Sequence, residues 1–302
     1  MKSEELKIMY QLRDRCVRVL SKDGEFRAVC VKNTKAAKEA MQKHQLDYEE
    51  AALLARTLAA SSMLASFLKG EERVIVELEG DGIIRKVFAE SMQLGEVRGY
   101  VRYNEKEGDS DLQSVGDFLG NGVLKVSKIM YNKTEPVTGI VPLQKGDVTS
   151  DLANYFFMSE QIPSYIILDV SFDNQGNIEE SGGMIVQVMP GFSEKKLEEV
   201  YYHLLKINKL TEYFKYGENP LSVLKKVLPF EFDMLSSTQI DFFCRCSKDL
   251  FVQRLKTLDI KEIEEMKLHN ENELTCQYCS SKYYLEMSDF DSIIEEMKAL
   301  RN

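Results

Sequence analysis

The chain has no excess of positive charge, no membrane-length apolar run, and only three histidines among its 302 residues. Each absence narrows the function. Its 39 lysines and arginines face 49 aspartates and glutamates, a net charge of −10. That balance repels phosphate backbones and speaks against nucleic-acid binding. The most apolar long stretch, Ala51 to Leu68, is broken by Arg56, Thr57, Ser61, Ser62 and Ser66. It reads as a buried helix, and no membrane partner is expected. The opening residues, Met1-Lys2-Ser3-Glu4-Glu5, mix both signs without an apolar core, unlike a secretory leader. A reducing cytoplasm is therefore the expected location. Gly80-Asp81-Gly82 and Gly120-Asn121-Gly122 lack the lysine and helix context of a phosphate-binding loop. They read as turns between strands.

What is present is an ordinary globular composition, 44% hydrophobic and 29% charged, at a length that suits two domains. Arg15 to Val31 reads as a hairpin around Asp23-Gly24. It brings Cys16 and Cys30 near each other. A two-residue turn puts them on opposite faces, and a three-residue turn puts them face to face. Small buried thiols are the expected role. Helices are expected from Thr34 to about Lys43 and from Asp47, where Glu50 completes a capping box. From Arg73 the period changes to two, with strands expected at 74–79, 83–88, 97–103, 123–131, 137–143, 165–172 and 183–189. A helix covers about Ser150 to Met158. Strands and helices come in separate runs, so the fold class is α+β, its first domain ending near Pro190.

Residues 191–243 change character. Helices are expected after Ser193 and at Asn219-Pro220, and ten of the chain's 29 aromatic residues lie in this stretch. These aromatics dock as core, or they belong to a segment that exposes apolar surface when released.

The last 59 residues hold four of the six cysteines, as Cys244-Arg245-Cys246 and Cys276-Gln277-Tyr278-Cys279. Short helices are expected around Leu250–Leu258 and Ile260–Met266, a strand at Lys282–Met287, and a last helix capped by Ser288 and Asp291. Four thiolates close a tetrahedral zinc site and leave no position for substrate, so zinc hydrolysis is not expected. His269 lies in a polar stretch and reads as exposed. So small a module is marginal alone, whereas four-sulfur zinc sites supply roughly 10–16 kcal/mol. Arg245, Lys248 and Lys282 are near enough in sequence to moderate the site's net negative charge. The narrow C-x-C pair makes a strained, readily reduced disulfide. That suits a reversible switch better than a permanent staple.

These cysteine pairs and their contexts, Cys244-Arg245-Cys246-Ser247-Lys248 and Cys276-Gln277-Tyr278-Cys279 before Lys282-Tyr283-Tyr284, resemble the bacterial 33-kilodalton heat-shock protein family. So do Leu78-Glu79-Gly80-Asp81-Gly82, Gly95-Glu96-Val97-Arg98-Gly99, Ser159-Glu160-Gln161-Ile162-Pro163 and Gly182 through Pro190. The resemblance runs along nearly the whole chain. It implies a redox-regulated, ATP-independent holdase chaperone, not an enzyme. One Zn²⁺ would be held by Cys244, Cys246, Cys276 and Cys279 in the reduced, inactive state. Oxidation would release it and form the disulfides Cys244–Cys246 and Cys276–Cys279. The module and linker would then unfold, and a homodimer would bind unfolding proteins.

The expected organisation is an N-terminal β-sheet/helix chaperone domain, 1–190. A helical, aromatic-rich linker, 191–243, precedes a small four-cysteine zinc-binding redox-switch module, 244–302. The alternative is an interaction module with a purely structural zinc site. A C-x-x-C thiol oxidoreductase lacks its usual βαβ context. Nucleic-acid binding by the module is disfavoured by nine Lys/Arg against twelve Asp/Glu from Cys244 on.

Overall fold

The computed structural model describes residues 13–105 and 114–301, with side chains up to 299. The opening residues considered for a leader lie outside them. The chain divides into two compact units, up to Phe243 and from Cys244 onward.

The first unit is α+β. Its first sheet is built from β1 (Arg15–Ser21), β2 (Phe26–Lys32), β8 (Ser164–Phe172), β9 (Ile178–Val188) and β10 (Phe232–Gln239). Their order across the sheet is β10-β1-β2-β9-β8. The second sheet is built from β3 (Arg73–Gly80), β4 (Ile84–Met92), β5 (Glu96–Tyr103), β6 (Gly122–Ile129), β7 (Val137–Pro142) and β11 (Asp241–Phe242). Its order is β11-β5-β4-β3-β6-β7. Helix α1 (Thr34–His44) leads to α2 (Tyr48–Ala65), and α2 touches strands of both sheets. This explains its apolar composition on every side: nearly all of its residues from Ala51 on are buried. Its start is the expected capping box, with Glu50 accepting from the Asp47 N–H at 2.8 Å. Among the described residues no helix is long and apolar enough to cross a membrane.

The hairpin register pairs Cys16 with Val31 and Val17 with Cys30. Side chains alternate between faces along a strand, so the two cysteines lie on opposite faces of the sheet. The Cys16 thiol points to the Ser62 carbonyl of α2 at 3.8 Å. Cys30 belongs to the core on the other face, with Phe26, Ala28, Met184 and Val186. Both thiols are buried, and burial pushes Cys16 up to about 12 and Cys30 well above its usual value. They are inert core residues in this state.

That second face is covered by the aromatic-rich segment. Helices α4 (Glu194–Leu204), α5 (Leu210–Lys215) and α6 (Pro220–Val227) follow α3 (Thr149–Tyr155) in chain order. Val200, Leu204, Phe214, Val223 and Leu224 enter the Cys30 core. Asn219 caps α6 by accepting from the Ser222 N–H. Polar bonds pin the segment as well. Asp169 accepts from both the Thr211 N–H and its hydroxyl, at 3.0 and 2.8 Å. Lys196 pairs with Asp23 and Glu25.

Two details depart from expectation. The helix starting at Thr149 ends at Tyr155 and widens into a π turn over Phe156–Glu160, leaving Phe157 75% exposed. The segment 191–243 also contains two strands, the short β11, paired parallel with β5, and the longer β10, paired antiparallel with β1. β10 lies at a sheet edge, and none of its residues is fully buried. No apolar alternation marks it.

Candidate metal centre

The second unit holds α7 (Lys248–Leu255), α8 (Ile260–Leu268), β12 (Glu273–Thr275), β13 (Lys282–Tyr284) and α9 (Met287–Arg301). Leu255, Ile263, Leu285, Phe290, Ile293 and Met297 form its small apolar core. Helix α9 begins earlier than Ser288 suggested. Asp289 accepts from the Glu286 N–H at 2.6 Å, so the cap is Glu286. His269 ends α8 and is exposed, as expected.

Cys276 and Cys279 sit in the turn between β12 and β13. The Cys276 N–H donates to the Ser281 carbonyl at 2.9 Å, while its own carbonyl accepts from the Ser280 N–H at 2.8 Å. Ser280 takes the left-handed conformation, φ 55°, that folds the turn back. Cys244 and Cys246 precede α7, whose first turn is capped by the Ser247 hydroxyl. The Tyr283 hydroxyl lies 3.2 Å from Cys246 Sγ and donates to the Cys246 carbonyl at 3.0 Å. β13 therefore holds the first cysteine pair against the second.

All four sulfurs lie within 4.8 Å of one another. Cys244 and Cys276 are 3.7 Å apart, and Cys246 and Cys279 are 3.4 Å apart. A tetrahedral ion with sulfur bonds of about 2.3 Å requires sulfurs about 3.8 Å apart. The residues fit: the cluster can hold one metal ion through four cysteines.

The surroundings act on the thiols unequally. Burial pushes Cys276 up to about 12 and also raises Cys246. Burial raises Cys279 too, but the Ser281 hydroxyl and N–H and the thiols of Cys246 and Cys276 outweigh it, bringing it down to about 7. Cys279 is thus more readily ionised than Cys246 or Cys276, because its neighbours direct protons toward it. A divalent cation bound by the four sulfurs would take the place of the thiol protons. The hydrogen bond to Cys246 pushes the Tyr283 hydroxyl up to about 12.

Lys248 and Lys282, two of the three cations that stand near the cluster in sequence with Arg245, form ion pairs within the module. Their charges are taken up by Asp289 at 2.6 Å and Glu273 at 2.8 Å. Ser281 and Tyr283 are partners that the sequence did not announce. Hydroxyl partners of a thiol follow no fixed spacing, although Tyr283 stands four residues beyond Cys279.

Fold and site together define an α+β protein with a small second unit whose four-thiol cluster can hold a metal ion. The family model of Hsp33 protein matches residues 14–286. A 33 kDa chaperonin of Desulforamulus reducens is 31% identical over 292 residues, covering 95% of this chain and 99% of that protein. One from Lactococcus lactis subsp. cremoris is 32% identical over 295 residues, covering 96% of this chain and 100% of its own length. The crystal structure of the 33 kDa chaperonin from Thermotoga maritima, a heat shock protein 33 homologue, matches with a TM-score of 0.86 at 27% identity. It covers 95% of this chain and 99% of that one. The chain belongs to the Hsp33 chaperone family.

Proposed function

We propose that the chain is a redox-switched, ATP-independent holdase of the cytoplasm. In the reduced state one Zn²⁺ is bound by Cys244, Cys246, Cys276 and Cys279, and the protein is inactive. The ion supplies the link between the two cysteine pairs. The single observation that carries the reading is the convergence of four thiols, from two separate stretches of a small module, into one cluster.

Peroxide or hypochlorous acid takes two electrons from each pair of thiolates. With peroxide, one S–S bond forms, the O–O bond breaks, and two protons complete two waters. Two equivalents give Cys244–Cys246 and Cys276–Cys279. Each bond closes a tiny loop, so neither replaces the metal as a tie between the pairs. The module loosens, the 191–243 segment leaves its sheet, and the face around Phe26, Cys30 and Val186 is uncovered for unfolding clients. The active form is a homodimer. On this reading the chain works as a chaperone domain to Pro190, a releasable linker and a switch module from Cys244.

The test counts zinc and free thiols before and after peroxide treatment at raised temperature, alongside aggregation of a denatured client. Protection should appear only with zinc release and the loss of four thiols. Equal protection by the reduced, zinc-loaded protein would sink the switch. The small core around Phe290 gives the alternative, a structural zinc site, its own physical support. It predicts that oxidation inactivates the protein and uncovers no useful surface.

A further inference from the structure

Two arginines of the first sheet have no carboxylate within ion-pair distance among the described residues. Arg18 of β1 shares a face with Cys16, and the register sets its neighbour on that face, Leu20, opposite Arg27 of β2. Both arginines therefore lie on the side that meets α2. Their guanidiniums crowd one ring just past that helix. The Phe67 centroid is 4.3 Å from the Arg27 Cζ and 5.9 Å from the Arg18 Cζ. Arg18 donates to the Ser66 carbonyl at 2.6 Å, and its buried Nε has no partner. Burial and the neighbouring Arg18 charge push the Arg27 guanidinium below its usual value. Glu160, whose charge also reaches Arg27, is engaged by Lys128 at 2.6 Å and by the Tyr155 hydroxyl.

Arg27 is held in a fixed direction. Its Nε donates to Gln187 Oε1 at 3.0 Å, and Gln187 donates in turn to the Ser164 hydroxyl at 2.8 Å. Its two terminal nitrogens bond to none of the described residues and stay accessible. Arg27 lines a cleft of about 280 Å³ at the end of the sheet. The rest of the lining is mainly apolar. Ile162 and Pro163 come from the turn before β8, and Met189, Pro190 and Phe192 from the turn before α4.

Two free N–H groups at the tip of one guanidinium match the two oxygens of a carboxylate. Apolar walls beside them match a hydrocarbon body. We infer that this cleft binds a small amphipathic monocarboxylate, its oxygens on the Arg27 terminal nitrogens and its hydrocarbon chain against Ile162, Pro163 and Phe192. Arg18 lies outside the lining and acts through its charge, because a bound anion offsets the repulsion between the two guanidiniums. Ligand cavities usually measure about 300–1,000 Å³, so this one takes a short chain. The site uses no cysteine and no oxidant, and it stands apart from the proposed switch.

The test titrates octanoate, octan-1-ol and inorganic phosphate into the reduced, zinc-loaded full chain and follows binding by calorimetry. Octanoate should occupy one site per chain, at least about tenfold more tightly than either the alcohol of equal length or phosphate. Arg27→Met keeps an apolar stem on Phe67 and removes the charge. It should weaken octanoate at least about tenfold and leave the alcohol unchanged. Arg18→Met should weaken octanoate by a smaller factor. Equal binding of octanoate and the alcohol would overturn carboxylate recognition, and tighter binding of phosphate would overturn the hydrocarbon subsite. Undiminished octanoate binding by Arg27→Met would overturn the site itself. The comparison of the three probes needs no variant, so it decides the matter even if Arg27→Met fails to fold.

Discussion

The ring of Phe214 in α5 rests against the backbone of Gly182 in β9. An added Cβ there would meet the ring at 2.5 Å and the Val31 carbonyl at 2.4 Å. Its neighbour Gly183 gives the same closeness to Leu168, at 2.6 Å, and brings α2's Met63 to 3.2 Å. The Gly182-Gly183 pair of the family pattern thus lets the sheet be packed closely from both sides. Gly182→Ala forces either the ring or the strand to move, at a cost of about 1–3 kcal/mol. Part of that cost falls on docking of the 191–243 segment. The expected result is a lower unfolding midpoint and faster alkylation of Cys30 in the reduced protein. Unchanged Cys30 reactivity would show that Phe214 does not control the segment.

Cys16 and Cys30 make an internal comparison for segment release. Cys30 lies beneath α4–α6, and Cys16 lies against α2 on the other face. If oxidation detaches the segment, Cys30 should react with an alkylating reagent at least tenfold faster, while Cys16 stays protected. Mass spectrometry of the labelled protein reads both sites at once. Equal labelling of the two would mean that the whole first unit opens.

Much of this architecture was legible because burial leaves a period in sequence. Val74, Val76 and Leu78 alternate because one side of β3 is core. The capping box of α2 announces itself at Asp47 and Glu50. β10 was not legible, because an edge strand whose partner β1 lies more than two hundred residues away needs no buried alternation. Two capping patterns overlap at the start of α9, Ser288 with Asp291 and Glu286 with Asp289, and the second is the one formed. The cysteine cluster was readable from spacing alone. Proximity in sequence does not decide which charge Lys248 and Lys282 meet: they pair with Asp289 and Glu273.

Tyr283 gives the cluster a partner outside its four sulfurs. Its hydroxyl contacts both Cys246 Sγ and the Cys246 carbonyl. Such outer partners are worth about 10–100-fold in metal affinity. Tyr283→Phe keeps the ring contact with Phe251, whose centroid is 5.5 Å away, and removes only the hydroxyl. Zinc should be lost to a competing chelator roughly tenfold more readily, with the fold kept. Identical retention would leave Tyr283 a packing residue.

Asp14 ties the N-terminus of α1 to the strand that ends the segment. Its carboxylate accepts from the Ala36 N–H at 3.0 Å, and its carbonyl accepts from the Ile240 N–H at 3.0 Å. Burial raises its carboxyl to about 7, against the opposing pull of the Ala36 and Lys35 backbone N–H groups and of the Lys32 and Lys35 charges. Unfolded, the group returns to about 3.8. Between these values the folded chain holds a proton that the unfolded chain has lost. Asp14 therefore favours the fold fully below pH 3.8, and that contribution is lost as pH rises through about 7. Asp14→Asn keeps the acceptor and removes the titration. The urea midpoint of the original chain should fall from pH 5 to pH 8 more steeply than that of the variant. Parallel curves would place the ionised form in the folded state throughout.

The pairing of the disulfides separates a switch from a staple. In the folded cluster, contacts run across the pairs, Cys244 to Cys276 and Cys246 to Cys279. Bonds along those contacts would close loops of about thirty residues and hold the module together, and longer closed loops constrain the unfolded chain more. Bonds within each pair close almost nothing and leave the module without its tie. On the proposed switch, release of the module would run through Cys244–Cys246 and Cys276–Cys279, formed as the module loosens. Peptide mapping without reductant, after peroxide at raised temperature, should find both bonds in the fraction that protects a client. Cross-pair bonds in that fraction would mean that protection does not depend on unfolding the module. Cys246→Ser removes one partner, so the variant should lose zinc retention and reach the protective state without oxidant. If it stays inactive when reduced, loosening of the module is not what uncovers the client surface.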